Sequence, residues 1–184
     1  MNKVIYFFGA VFILFGISCK EEALPKPKAM LSLEYPTADT KLISTSNFDF
    51  QSNTQAHLKF DNEQSVTIDY PNMKGAIFLT YKTIDHNLEK LLSDAQKFSY
   101  EHAVKADDIL EQPFLNNEDK VFGMFYEVKG DAASQSQFYV TDSVHHFVTG
   151  SLYFYAKPNY DSILPAAVYL QKDIRRIMET LRWK

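Results

Sequence analysis

The 184-residue chain has one cysteine, one tryptophan and six glycines. A single cysteine excludes an intramolecular disulfide framework and any zinc site built on several thiolates. Six glycines leave little for phosphate-cradling loops, and Gly9 and Gly16 already fall in the leader. Basic residues are also in deficit: Lys and Arg total 19 against 23 Asp and Glu, a net charge of −4. Lys3 is the single charge before Cys19, so the acidic excess belongs to the remainder. That excludes nucleic-acid binding through a basic surface, because neutralising phosphates needs positive charge. Apolar residues make up 46% of the chain, ordinary for a globular protein and too many for a disordered one.

What is present begins at the N-terminus. Met1-Asn2-Lys3 is a short positive start, and Val4 to Ile17 is a run of fourteen residues without charge. A helix crossing a hydrocarbon core needs about 20 apolar residues, whereas fourteen is the length of a signal-peptide core. Ser18-Cys19 follows at once. The arrangement resembles a bacterial lipobox, in which the cysteine sulfur takes a diacylglycerol and becomes the mature N-terminus. Gly16 stands where Leu is usual, while Ile17 and Ser18 fit looser versions. A buried core cysteine is disfavoured by Lys20-Glu21-Glu22 directly behind it; an uncleaved anchor is the other reading. Two or three acyl chains hold a protein on a bilayer stably, where one is marginal. Lys20 to Lys28 carries Pro25 and Pro27, which favour an extended spacer. Cys19-Lys20-Glu21-Glu22 also resembles the acidic surface-export signal of Bacteroidota lipoproteins; a solvated leader reads equally well. The expected organisation is a lipoprotein signal peptide over 1–18, the lipidated Cys19 with an extended linker over 19–34, and one globular domain over 35–184.

Within that domain, Asn47 to Phe50 and His57 to Phe60 read as short strands. Ser65 to Tyr70 alternates, with Val66, Ile68 and Tyr70 on one face. Pro71 to Gly75 is a turn, and Ala76 to Lys82 returns as the second arm of a hairpin. Leu88, Leu91, Leu92, Ala95, Phe98 and Ala103 mark an amphipathic helix over His86 to Ala106, with Asp85 as its cap. Gln112-Pro113 reads as a loop. Val121 to Lys129, Ala132 to Asp142 and Phe147 to Ala156 form a three-strand meander, its first turn a two-residue II′ turn at Gly130-Asp131. Pro158-Asn159 ends it. A last helix, capped by Asp161 or Ser162, aligns Ile163, Ala167, Leu170, Ile174, Ile177 and Leu181, with Pro165 in its first turn. Two of the meander strands are apolar on both faces and need cover on both. The fold class is therefore α+β: an antiparallel sheet with a helix on each face, in the order β-β-α-β-β-β-α. That α/β/α sandwich looks like the Mog1/PsbP-type fold, an analogy that carries no function.

Chemistry is harder to find. His145 and His146 are adjacent, so in a strand they point to opposite faces and chelate poorly. His57, His86 and His102 form no ligand spacing, and no metal or other cofactor is expected. Thr149-Gly150-Ser151 lies in a strand, not in the strand-to-helix elbow of a hydrolase. The acidic clusters Asp61-Asn62-Glu63, Asp107-Asp108 and Asn117-Glu118-Asp119 lack calcium-loop spacing and read as turns and helix ends. No nucleophile–base–orienter set is visible, and the protein is expected not to be an enzyme. Two features are candidate partner-binding surfaces. Ser134, Gln135, Ser136 and Gln137 put amides and hydroxyls on both faces of a strand. Unpaired burial would cost about 1–3 kcal/mol each, so the stretch lies at an edge, lines a polar groove, meets a partner or is a solvated strand end. Arg175 and Arg176, with Lys172, Arg182 and Lys184, make the end of the last helix basic. That face is either solvated or turned to anionic headgroups or an acidic partner. Trp183 reads as a packed terminal anchor.

Four segments carry a wider resemblance: Leu24 to Tyr35 (LPKPKAMLSLEY), Asn87 to Pro113 (NLEKLLSDAQKFSYEHAVKADDILEQP), Ala132 to Asp142 (AASQSQFYVTD) and Val148 to Ala166 (VTGSLYFYAKPNYDSILPA). Together they resemble the GldD family of gliding-motility lipoproteins of Bacteroidota. The resemblance implies a cell-envelope lipoprotein required for gliding and associated with the type IX secretion machinery. It implies a membrane held through acylated Cys19, other gliding and secretion envelope proteins as partners, and no catalytic residues to carry over. The expected role is a non-enzymatic assembly or scaffolding component, facing the periplasm in preference to the cell surface. The alternative is an envelope lipoprotein that binds a small ligand or glycan in an aromatic-lined cleft.

Overall fold

The alternation of Ser65–Tyr70 shows first in the fold. In the computed structural model, which describes residues 35, 37, 39–102, 106–155 and 160–184, Val66, Ile68 and Tyr70 are buried and the residues between them are half-exposed. All described residues belong to one compact unit, Leu31–Lys184. The leader, Cys19 and the linker lie outside them, as do Ala103 and the Pro158-Asn159 break.

Ser65–Tyr70 is β4. It pairs on one side with β3 (His57–Asn62) and on the other with β5 (Gly75–Thr83), which it reaches through the 3₁₀ turn Pro71–Met73. Lys74 closes that turn at φ 50°, its N–H donating to the Pro71 carbonyl. Next come α1 (Leu88–His102) and four strands, β6 (Ala106–Asn116), β7 (Val121–Gly130), β8 (Ser134–Thr141) and β9 (His146–Phe154). β9 returns to pair antiparallel with β5, which joins both halves into one seven-stranded sheet, β3-β4-β5-β9-β8-β7-β6. The last helix is α2 (Tyr160–Glu179). A second sheet, β1-β2-β10, combines β1 (Thr40–Ser44), β2 (Phe48–Asn53) and the two-residue β10 (Arg182–Trp183). The fold is thus α+β, with antiparallel sheets and two helices among the described residues. Among the described residues no helix is long and apolar enough to cross a membrane.

Several expectations are corrected. Residues 106–116 form a long strand instead of a helix end and a loop. Pro113 misleads the reading because it sits on the outer strand of the sheet, where one side has no ladder to satisfy and a missing N–H is tolerated. The expected strands, two short ones, the hairpin pair and the three of the meander, are accordingly joined by β1, β6 and β10. α1 starts two residues later than read, and Asp85 is no cap: its N–H donates to Asn87 Oδ1, while the Asn87 carbonyl accepts from Leu91. Pro165 falls in the second turn of α2, near its exposed start. The turn at Gly130-Asp131 is wider than a two-residue hairpin. β7 stays paired with β6 up to Gly130 while Ser134 pairs with β9, so the ends of β7 and β8 splay. Gly130 still supplies the positive φ, 99°, that the position requires.

The two faces of the large sheet differ. α2 buries Leu170, Ile174, Ile177 and Met178 against Ile68, Ile77, Leu152 and the Phe48–Phe50 strand, forming the main core. Each such side chain contributes about 1.5–3 kcal/mol of transfer free energy. The α1 face carries a small cluster only, Leu91, Ala95 and Phe147, with Leu92 and Tyr139 half-buried beside it. Phe98, read as part of the apolar stripe, is 42% exposed. α1 therefore covers its face lightly, and the reason lies in the residues beneath it.

Candidate functional site

Three adjacent strands present alternate side chains to α1, and many of these are polar. β5 offers Thr80 and Lys82, β9 offers Thr149 and Ser151, and β8 offers Gln137. Register makes them neighbours: Thr80 lies opposite Thr149, and Gln137 opposite Ser151. α1 roofs the row with Leu91, Asp94, Ala95, Phe98 and Ser99. The result is a cleft of about 260 Å³. One end is aromatic, with Tyr139 and Phe147 stacked at 5.8 Å between ring centres.

Gln137 is the centre of the cleft. It is 2% exposed, and its Oε1 lies 3.1 Å from Ser99 Oγ, whose single proton is shared between that oxygen and the Ala95 carbonyl. Its Nε2 is buried and has no partner. Thr80, Thr149 and Ser151 likewise find no side-chain partner among the described residues.

The structure places the residues singled out in the sequence as follows. Ser134–Gln137 belong to β8, an inner strand between β7 and β9, and all four are buried. They lie neither at an edge nor at a solvated end. Ser134 Oγ donates to the Ser136 carbonyl and Gln135 Nε2 to the Ala132 carbonyl, whereas Ser136 Oγ is unpaired. The splayed β7–β8 end makes this local pairing available. Gln137 alone opens onto the polar cleft. Arg175 and Arg176 are half-buried and engaged within the fold. Arg175 Nη2 donates to Gln112 Oε1 at 2.7 Å, and its guanidinium lies 4.2 Å over the Phe125 ring. Arg176 pairs with Asp173 at 3.0 Å. Lys172 and Arg182 remain exposed. His145 is exposed and His146 half-buried, stacked on Trp183 at 5.1 Å, its Nδ1 hydrogen-bonded to the Tyr81 hydroxyl. Trp183 Nε1 donates to the Lys120 carbonyl. Among the described residues no three His, Cys, Asp or Glu side chains gather as metal ligands.

A second polar centre sits between α2 and β2. Asp173 is 5% exposed; its carboxylate accepts from Asn53 Nδ2 at 2.7 Å and from Arg176. Burial holds its pKa above the ordinary carboxylate value, against the lowering effect of Asn53, Tyr70 and Arg176. The Tyr70 hydroxyl faces this carboxylate from a buried position, without a hydrogen bond of full geometry, and burial pushes its pKa up. Asn53 Oδ1 accepts from Gln55 N–H, and Nδ2 also reaches the Tyr169 hydroxyl. This centre clamps the small sheet to the helix.

The sequence reading named Gln137 but missed Thr80, Ser99, Thr149 and Ser151 as cleft residues. The signal was present as polar residues at positions where the period calls for apolar ones. Ser99 continues the Leu91–Ala95 stripe, and Thr149 and Ser151 alternate with the buried Val148 and Leu152.

With this geometry in hand, comparison with known proteins is informative in one respect. A family model described as gliding motility lipoprotein GldD matches residues 20–183. No curated protein matches the chain.

Proposed function

The chain belongs to the gliding motility lipoprotein GldD family, and from that premise we propose that it is a non-enzymatic assembly component of the gliding machinery. Membership itself gives involvement in gliding motility and a lipid-anchored place in the cell envelope. The proposal adds the scaffolding role, the link to type IX secretion, other envelope proteins of that machinery as partners, and a periplasm-facing body. The family match over 20–183 carries the reading. It begins at the residue after Cys19, which supports acylation of that cysteine and its place as mature N-terminus. Two helices against opposite faces of an antiparallel sheet support the Mog1/PsbP-like sandwich as the architectural reference.

The test is Cys19→Ala in cells, followed by membrane fractionation and protease shaving. The variant should leave the membrane fraction, motility should fail, and cross-linking of the parent should trap a small set of envelope proteins. A variant that stays on the membrane and supports gliding would overturn the anchor, and cross-links to random neighbours alone would overturn the scaffold. The second reading, a ligand-binding lipoprotein, is favoured by the unpartnered amide of Gln137 in the α1 cleft.

A further inference from the structure

We propose that the cleft between α1 and strands β5, β9 and β8 is a binding site for a small, neutral, hydroxyl-rich ligand of the size of one sugar ring. This deepens the ligand-binding reading and is independent of the scaffolding role. Proteins seldom bury a donor without an acceptor, because the lost hydrogen bond with water is not recovered. Gln137 Nε2 is such a donor, with Ser99 Oγ 3.1 Å from the oxygen end of the same amide. The amide N–H₂ is thus a buried donor without an acceptor in a residue that lines the cleft, and a small turn of the side chain presents it to an acceptor oxygen there.

The surroundings define what brings that oxygen. Thr80, Thr149 and Ser151 set a row of hydroxyls beside the amide, each able to donate and accept. A ligand that uses such a row best carries hydroxyls of its own. Phe147, stacked on Tyr139, gives an apolar wall suited to the C–H face of a ring. Lys82 and Asp94 line the cleft with opposite charges, and neither forms an ion pair among the described residues. Their fields offset each other, so the cleft selects for no net charge. A volume of about 260 Å³ lies below the roughly 300–1,000 Å³ of drug-sized pockets, which fits one ring and not a chain of them.

The experiment uses the full chain in detergent, with N-acetylglucosamine as probe, because its acetamido carbonyl is an acceptor and its hydroxyls match the row. Glucose and glucuronate serve as neutral and anionic comparisons. Saturation-transfer NMR should show saturable binding of N-acetylglucosamine in the millimolar range or tighter, with glucuronate weaker. Gln137→Met keeps the side-chain volume and removes the orphan amide, and Ser99 Oγ keeps its bond to the Ala95 carbonyl. Thr149→Val removes one hydroxyl. Each should weaken binding tenfold or more, while the unfolding midpoint of Gln137→Met stays level or rises. Absence of saturable binding by both neutral sugars overturns the site, as does binding that survives both substitutions. Either failure leaves the Cys19 fractionation result untouched, so the two claims fall separately.

Discussion

Replacing Asn53 with Ala should destabilise the domain by an amount that depends on pH, and both the size and the sign follow from the Asp173 centre. Asn53 is 1% exposed and its amide is fully used: Oδ1 accepts from Gln55 N–H at 2.8 Å, and Nδ2 donates to Asp173 Oδ2 at 2.7 Å and to the Tyr169 hydroxyl at 3.1 Å. A hydrogen bond to a buried charge contributes about 1.5–3 kcal/mol, and a neutral one about 0.5–1.5 kcal/mol. Losing one charged and two neutral bonds should cost roughly 2.5–6 kcal/mol at pH values above the folded pKa of Asp173. The folded carboxyl has its pKa raised by burial above the 3.8 of the unfolded chain. The folded state therefore binds more protons in the window above 3.8, and stability falls as pH rises through the folded value. Asn53→Ala withdraws a bond that favours the charged form. The folded pKa climbs further, and that fall steepens. As pH falls through the raised folded value and Asp173 takes up its proton, the penalty should shrink by about 1–1.5 kcal/mol, since only neutral bonds are then lost. Urea unfolding at pH 7.5 and pH 4 measures this directly. With a slope of about 1–3 kcal/mol/M, the midpoint should drop by roughly 1–2 M at the higher pH. A penalty equal at both pH values, or larger in acid, would refute the assignment of Asp173 as a buried charge held by Asn53.

Two further outcomes follow from the sheet. Gly123→Ala would set a Cβ 1.9 Å from the Tyr139 carbonyl oxygen of the neighbouring strand, which can yield only if β8 moves. The loss should exceed the usual 1–3 kcal/mol of overpacking, reaching about 3 kcal/mol or more, and thermal unfolding unchanged from the parent would contradict the close approach. Pro113→Val would restore an N–H to the outer strand β6, whose Leu110 and Leu115 are already exposed. Stability should shift by less than about 1 kcal/mol while sedimentation reveals concentration-dependent association, because Pro blunts an edge against pairing. A variant that remains monomeric at high concentration would remove that role from Pro113.

How far the sequence could be read depended on where the determining partner lay. Ser65–Tyr70 announced its buried face because alternation is a property of adjacent residues. The last helix did so too: every member of its expected stripe, Ile163 through Leu181, is buried. The family likeness was equally local, a matter of order along the chain. β6 was hidden because Pro113 is a breaker in isolation and acceptable only on an outer strand, and nothing near Pro113 says which strand is outer. β10, with two residues, has no period to detect; it exists because Trp183 pairs opposite Phe48. The cleft is the clearest case. Ser134–Gln137 looked like surface because polar strand residues usually meet water, yet the fold seals them in an inner strand. Sequence by itself determined which residues would form each helix and most strands, since backbone period and side-chain pattern act over a few positions. Only tertiary structure brought Thr80 opposite Thr149 and turned Gln137 under Ser99, because strand pairing and helix docking set those distances between groups far apart in the chain.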